Sequence, residues 1–185
     1  MVTRSIESAG VHGAAAQLST PSDIDRHGTE EIARALNPVI ADAIALYVKT
    51  KNFHWHLAGP HFRDYHLLFD EQAEAIFASI DPLAERLRRI GATTIRSIGH
   101  VGELTKVADD NEQYVPAEEM VRRLMEDNRG MAKRQREALA LCDKYDDHAT
   151  SNVLEEILNG TERRVWFLFE VLQGEAPRPK PHRAA

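Results

Sequence analysis

Four residues in the middle of the chain combine metal-ligating types with helical spacing: His66, Asp70, Asp81 and Glu85. At 100° per residue they fall at about 0°, 40°, 60° and 100° around a helix axis, so one helix face would present all four. Each close pair is separated by four residues and could hold one ion with nitrogen and oxygen ligands. Such ligands suit iron, manganese or zinc, and the residue types alone do not choose among these metals.

The two pairs are too far apart to bind the same ion within one chain. Residues 66 and 85 are roughly 28 Å apart along a helix axis. The spacing is nevertheless symmetric, because residues 66 and 85 share the midpoint of residues 70 and 81. Two antiparallel copies of this helix would place His66 and Asp70 of one chain opposite Asp81 and Glu85 of the other. The spacing therefore predicts two identical metal sites per dimer, each shared between subunits.

Two further histidines, His54 and His56, flank Trp55 just upstream. His54 continues a line of positions 43, 47 and 50 at helical spacing and is expected to face inward, whereas His56 is expected to point away. An inward histidine near carboxylates is a natural metal ligand, and a hydrogen-bonded core histidine is the alternative. Because scattered acids on an exposed helix are common, the metal prediction depends on the symmetric spacing together with His54.

The elements that must position these residues are helices. Apolar residues recur at helical spacing from Thr29, the expected N-cap, to about residue 58, and again over about 60–90, 116–142 and 149–172. Pro38 is expected to bend the first helix or shift its start, and Pro82 to kink the second. Segment 92–115 predicts a long connection with one short helix. Without any alternating strand pattern, we expect an all-α, ferritin-like four-helix bundle with a long crossover between helices two and three.

The composition limits the class of protein. The chain has 185 residues, a formal charge of −6 and one cysteine, which suits one domain without an intrachain disulfide. No apolar run approaches the roughly 18–20 residues of a membrane span, and the first 25 residues lack the apolar stretch of a secretory signal. We expect a cytoplasmic protein, with no membrane partner, that has a flexible arm over 1–28, the bundle over 29–173 and a Pro-rich basic tail over 174–185.

One stretch is similar to a known family signature. The segment KNFHWHLAGPHFRDYHLLFDE over 51–71, followed by IDPLAER over 80–86, resembles the signature of the Dps family, the DNA-protection-during-starvation miniferritins. Together with the bundle and the aromatic residues Trp166 and Phe167 of the last helix, the resemblance covers about residues 29–173. Only the two tails fall outside it.

The resemblance implies a ferroxidase. Members of the family form hollow shells of twelve subunits, oxidise Fe(II), usually with hydrogen peroxide in preference to oxygen, and store ferric oxide inside. The family's iron ligands correspond to His54, His66 and Asp70 of one subunit, and to Asp81 and Glu85 of its two-fold mate. Trp55 corresponds to a tryptophan beside the site, where it either quenches radicals or packs as a core aromatic.

The chain also departs from related patterns. The Glu-x-x-His motif of intrasubunit di-iron bundles is absent from the sequence, which argues against that kind of centre. His56 stands where Asn is common in the Dps family, and Pro82 inside the second motif could shift Glu85 relative to Asp81.

Two other groups of residues suggest further contacts. Asp143, Asp146 and Asp147 are expected near the turn between helices three and four, where acids of the family line a pore that attracts Fe(II), and a solvated loop is the alternative.

The basic tail carries Arg178, Lys180 and Arg183, and twelve such tails could bind DNA through salt-sensitive phosphate contacts. A solubilising terminus is the alternative for the tail. For the whole protein, the competing function is a DNA-compacting structural protein with an impaired metal site. A protein that binds DNA would be associated with the nucleoid.

Overall fold

The computed structural model describes residues 17–173, in which every regular element is a helix and no β-strand occurs. The helices are α1 (Arg26–His56), α2 (Phe62–Ala78), α3 (Ile80–Arg89), α4 (Ile98–Leu104), α5 (Ala117–Lys144) and α6 (His148–Leu172). The all-α prediction is confirmed, and α4 is the short helix expected in the long crossover. None of these helices is long and apolar enough to cross a membrane.

Helix α1 begins four residues earlier than its apolar pattern predicts. The carboxylate of Asp25 accepts a hydrogen bond of 2.7 Å from the backbone N–H of Gly28, so Asp25 is the N-cap. The prediction of Thr29 as N-cap was wrong, and its hydroxyl instead donates to the carbonyl oxygen of Ile90 at 3.4 Å. Pro38 does not shift the start of the helix, which continues through it to His56.

The predicted second helix is divided in two. It breaks at Ser79, whose hydroxyl donates to the carbonyl oxygen of Ile76 at 2.7 Å. Pro82 therefore lies in the first turn of α3, where a missing N–H costs less than in a helix interior. The break also separates the predicted ligands, with His66 and Asp70 on α2 and Asp81 and Glu85 on α3.

The hydrophobic core lies between helices α1, α2, α5 and α6 of the bundle. Helix α5 packs along α6, and α1 packs along α2 and α5. Each contributes apolar side chains with no more than 1% exposure, including Leu36, Phe53, Phe69, Ile76, Leu124, Leu154 and Leu168. This core holds α1 and α2 in a fixed relation, which positions the ends of both helices around the candidate site.

Buried charges attach the crossover to the bundle. Asp42 is fully buried and accepts hydrogen bonds from the backbone N–H of Lys106, at 2.6 Å, and from the Arg134 side chain. Two turns along, Lys49 forms an ion pair of 2.7 Å with Asp127 and donates to the carbonyl oxygen of Ala108 at 3.1 Å. The two hydrogen bonds to the backbone of residues 106 and 108 attach the chain between α4 and α5 to α1, while Arg134 and Asp127 on α5 balance the two buried charges.

Candidate metal centre

Two histidines meet where α1 ends and α2 begins. The rings of His54 and His66 stack with centroids 3.7 Å apart and an interplanar angle of 22°. The turn that brings them together contains Gly59, whose φ of +120° is a conformation that residues with side chains rarely adopt. The five residues between the helices, 57–61, form this turn and allow a contact between residues 12 apart in sequence.

A reciprocal pair of hydrogen bonds fixes both imidazole rings. His54 Nδ1 lies 2.9 Å from the carbonyl oxygen of His66, and His66 Nδ1 lies 3.1 Å from the carbonyl oxygen of His54. A carbonyl oxygen only accepts, so each Nδ1 must carry the proton that it donates. Each neutral ring then keeps its lone pair on Nε2, and backbone acceptors of this kind orient histidines that bind metals.

Asp70 adds a carboxylate to the two histidines. It lies one turn beyond His66 on α2, and its Oδ1 is 3.9 Å from His54 Nε2. The ammonium group of Lys51 donates to the same oxygen at 2.6 Å. This hydrogen bond is the main reason that the pKa of the Asp70 carboxyl lies below its usual range, and the positive charge of Lys51 lowers it further.

Lys51 is a residue of this site that the sequence pattern did not predict. It lies one helical turn before His54 on α1, so three-residue spacing could have indicated that it shares a face with the histidine. Its ion pair with Asp70, however, joins two helices and depends on how α1 and α2 pack. The cluster of His54, His66, Asp70 and Lys51 is called the α1–α2 half-site below.

The donor atoms of the half-site fit a borderline transition-metal ion. Two imidazole Nε2 atoms and a carboxylate are ligands typical of iron and manganese. Among residues 17–173, no three His, Cys, Asp or Glu side chains are close enough together to hold a metal ion.

Asp81 and Glu85 lie on the other side of the helix break. Both are exposed on α3, and Glu85 forms an ion pair with Arg89 one turn later. Neither carboxylate contacts the α1–α2 half-site within the described part of one chain. They remain a separate pair of acids with the i,i+4 spacing that the sequence indicated.

Large apolar side chains are exposed on α1 and α2, the two helices that carry the half-site. Trp55 is 64% exposed, Phe77 is 60% exposed, and Phe62 and Leu67 are about half exposed. Phe62 also stacks on His66, with ring centroids 5.0 Å apart. Trp55 is therefore not packed in the core of its own chain. Beside it, His56 points away from the site, as expected, with Nδ1 2.8 Å from the carbonyl oxygen of Asn52.

Comparison with known proteins places this chain in a family. The family model of the ferritin-like domain matches residues 33–175. DNA protection during starvation protein 1 of Deinococcus radiodurans is 30% identical over 171 residues, which cover 89% of this chain and 83% of that protein. This chain belongs to the Dps family. The DNA protection during starvation protein of Brevibacillus brevis is 34% identical over 142 residues, covering 77% of this chain and 95% of the relative.

A solved structure of a Dps-family protein shares the same architecture. DpsC from Streptomyces coelicolor superimposes with a TM-score of 0.81 at 29% identity, over 85% of this chain and 92% of that structure. The crossover with its short helix is therefore part of a known ferritin-like arrangement.

The acids expected at a Dps-type pore have different environments. Asp147 is 4% exposed, accepts from the backbone N–H of Thr150 at 3.1 Å as the N-cap of α6, and pairs with Arg86 at 3.0 Å. This structural role differs from the solvent-facing one expected for it. Asp143 is exposed and accepts from the Ser151 hydroxyl at 2.7 Å, and Asp146 is exposed at the turn. A pore role stays a prediction for these last two residues.

The candidate DNA contacts lie outside the described residues. Arg178, Lys180 and Arg183 belong to segment 174–185, and most of the predicted N-terminal arm lies in segment 1–16.

Proposed function

We propose that this chain is a Dps-type ferroxidase that oxidises Fe(II), preferably with hydrogen peroxide, and stores the ferric oxide in a hollow homododecamer. The observation that carries the proposal is the α1–α2 half-site, in which His54 and His66 present Nε2 lone pairs beside the Asp70 carboxylate. Fe(II) is the substrate that these donors suit: imidazole binds it readily, and a hard carboxylate favours the Fe(III) product.

The second half of each site would come from the two-fold mate. The symmetric spacing predicts that Asp81 and Glu85 of one subunit face the half-site of the other. The exposed side chains of Trp55, Phe62 and Phe77 support this arrangement, since large apolar groups at a surface mark a protein interface. Two subunits joined in this way would contribute two half-sites and two acidic pairs, which make two complete sites.

The chemistry that follows is a two-electron reduction of peroxide. Two Fe(II) ions held close together each give up one electron. One molecule of hydrogen peroxide accepts both electrons, and its O–O bond breaks. With two protons, the products are two molecules of water. Because both electrons leave in one encounter, no hydroxyl radical is released. Trp55, exposed beside His54, would reduce any stray radical formed at the site.

Lys51 gives this site a means of holding its carboxylate before iron arrives. Its ammonium group neutralises Asp70, whose negative charge would otherwise face an apolar interface. Fe(II) would displace the ammonium from Oδ1, because a divalent cation attracts a carboxylate more strongly than a monovalent one.

Protection of DNA follows from removal of the reactants that damage it. Consumption of Fe(II) and peroxide together prevents radical formation wherever the protein is present, and the predicted location is the cytoplasm. Direct DNA binding through the tail residues Arg178, Lys180 and Arg183 would add physical shielding, since clustered basic tails bind phosphates multivalently.

Mixed assemblies of two inactive variants test whether the site is shared. One variant carries His66→Ala and Asp70→Ala, and the other carries Asp81→Ala and Glu85→Ala. Each alone should lose rapid Fe(II) oxidation by peroxide. Co-expressed, they form dimers in which the intact half-site of the second variant faces the intact acids of the first, so about a quarter of all sites should recover.

The controls separate chemistry from assembly. Ferric absorbance measures oxidation, and a sizing column measures both assembly and retained iron. Glu126→Ala, at an exposed acid on α5, should behave as the wild type. If the mixed assemblies form at normal size and recover no activity, the shared site is wrong. If each of the two variants, tested alone, oxidises iron at the wild-type rate, the ferroxidase proposal itself fails.

A further inference from the structure

Arg164 is a buried cation without an anionic partner. Its side chain lies on α6 with 6% exposure, and no carboxylate among residues 17–173 forms an ion pair with it. Its Nε donates to Asn128 Oδ1 and its Nη2 to Thr161 Oγ1, each at 2.8 Å, and both acceptors are neutral. Burial lowers the pKa of Arg164 to about 10, which still leaves it charged at neutral pH. A buried charge of this kind is unfavourable without a counter-ion.

The two acceptors hold the guanidinium plane in one orientation. Asn128 donates its amide to the carbonyl oxygen of Leu124 at 2.8 Å, which turns Oδ1 toward Arg164. Thr161 donates its hydroxyl to the carbonyl oxygen of Ile157 at 2.9 Å. Within the described part of the chain, Nη1 makes no hydrogen bond, so its two N–H groups remain available.

The free nitrogen faces an open cleft. A Cβ atom at Gly160 would lie 3.8 Å from Nη1, so the glycine leaves space in front of the guanidinium. Gly160 and Arg164 line a cleft of about 280 Å³ between α6 and the junction of α2 with α3. Its other walls are mainly apolar, apart from Ser79 and the exposed carboxylate of Glu156. The cleft has about nine times the ~30 Å³ that one water occupies.

We propose that this cleft is a binding site for a small inorganic oxyanion, with phosphate as the fitting ligand, held on the Nη1 edge of Arg164. Guanidinium N–H groups match the geometry of tetrahedral oxyanions and form charge-assisted hydrogen bonds with them. The apolar walls strengthen this attraction by excluding water. The site is separate from the iron ligands and does not depend on the proposed ferroxidase activity.

Titration of the iron-free, full-length protein with inorganic phosphate tests the proposal, because phosphate then has no ferric iron to bind. Calorimetry in a buffer without other oxyanions should give one phosphate per chain. Arg164→Met should abolish saturable phosphate binding. Arg164→Lys keeps the positive charge and loses the planar set of N–H donors, so it should weaken phosphate binding at least about fivefold.

Gly160→Ala is the decisive variant, because the structure has room for its methyl group. It should fold at least as well as the wild type, since alanine favours helices over glycine, yet bind phosphate several-fold more weakly. Gly102→Ala, at a helical glycine with no neighbouring atom within 4 Å, is the matched control and should bind normally. Glu156→Gln removes a repelling carboxylate and should strengthen binding.

Two results would overturn the proposal. One is that the wild type shows no saturable phosphate binding. The other is that wild type and Gly160→Ala bind with the same affinity, which would place the phosphate elsewhere on the protein.

Discussion

Lys51 Nζ lies 2.6 Å from Oδ1 of Asp70, whereas His54 Nε2 is 3.9 Å from the same oxygen. The ammonium group of Lys51 therefore already engages the carboxylate oxygen that lies nearer to His54 Nε2, an oxygen that a bound metal ion would need. Because one oxygen cannot hold both cations closely, the lysine and the metal compete for Asp70.

Lys51→Gln should therefore bind Fe(II) more tightly than the wild type at pH 7, by about three- to tenfold. The glutamine keeps much of the side-chain length and removes the competing charge. Anaerobic calorimetry with Fe(II) measures the affinity. Lys133→Gln, at an exposed lysine on α5, is the control and should leave the affinity unchanged. Weaker binding in Lys51→Gln would show that the lysine positions Asp70 for iron.

The pH dependence of stability gives a second test of this pair. A carboxyl pKa that is lowered by folding contributes stability above its unfolded value, about 3.9, and this contribution disappears as the pH falls through the folded value. Wild type should be more stable than Lys51→Gln at pH 6, and the difference should shrink toward pH 2.5. Urea unfolding of the iron-free proteins measures it. A difference that stays constant over this range would contradict the assignment.

Much of this arrangement could be predicted from spacing. Helical periodicity located the long helices, and the turn between α1 and α2 explains why His54 and His66 meet. The sequence predicted a kink at Pro82, whereas the helix breaks three residues earlier, at Ser79, because Pro82 can occupy the first turn of a new helix. The Lys51–Asp70 ion pair and the burial of Asp147 were missed for a different reason: both depend on packing between helices that are distant in sequence.

Asp143 and Asp147 should respond differently to the same substitution. Asp147→Ala removes the N-cap of α6 and leaves Arg86 buried without its partner. It should lower the free energy of unfolding by about 3–5 kcal/mol. Asp143→Ala, at an exposed position, should change stability little and slow Fe(II) uptake if the residue lines a pore. Urea unfolding and stopped-flow uptake measure the two effects. Equal stability of both variants would contradict the structural role of Asp147.

Cys142 should be inert in the folded protein. It is fully buried, and burial together with the charges of Asp147 and Asp143 raises the pKa of its thiol to about 12. At pH 8 about one thiol in ten thousand would be ionised, and only the thiolate reacts. A disulfide reagent should label the native protein very slowly and the urea-unfolded protein at once. Rapid stoichiometric labelling of the native protein would show that this region of α5 opens.

The final prediction concerns the tail and separates DNA binding from iron chemistry. A truncated protein without residues 175–185 should lose retardation of DNA in a gel at low salt, because the remaining body is acidic. The full-length variant Arg178→Ala/Lys180→Ala/Arg183→Ala is the matched control for tail length and should behave in the same way. Both proteins should keep wild-type Fe(II) oxidation, since the proposed iron ligands lie in the helices. Unchanged retardation by the truncated protein would assign DNA binding to another surface, and loss of oxidation would show that the tail contributes to assembly.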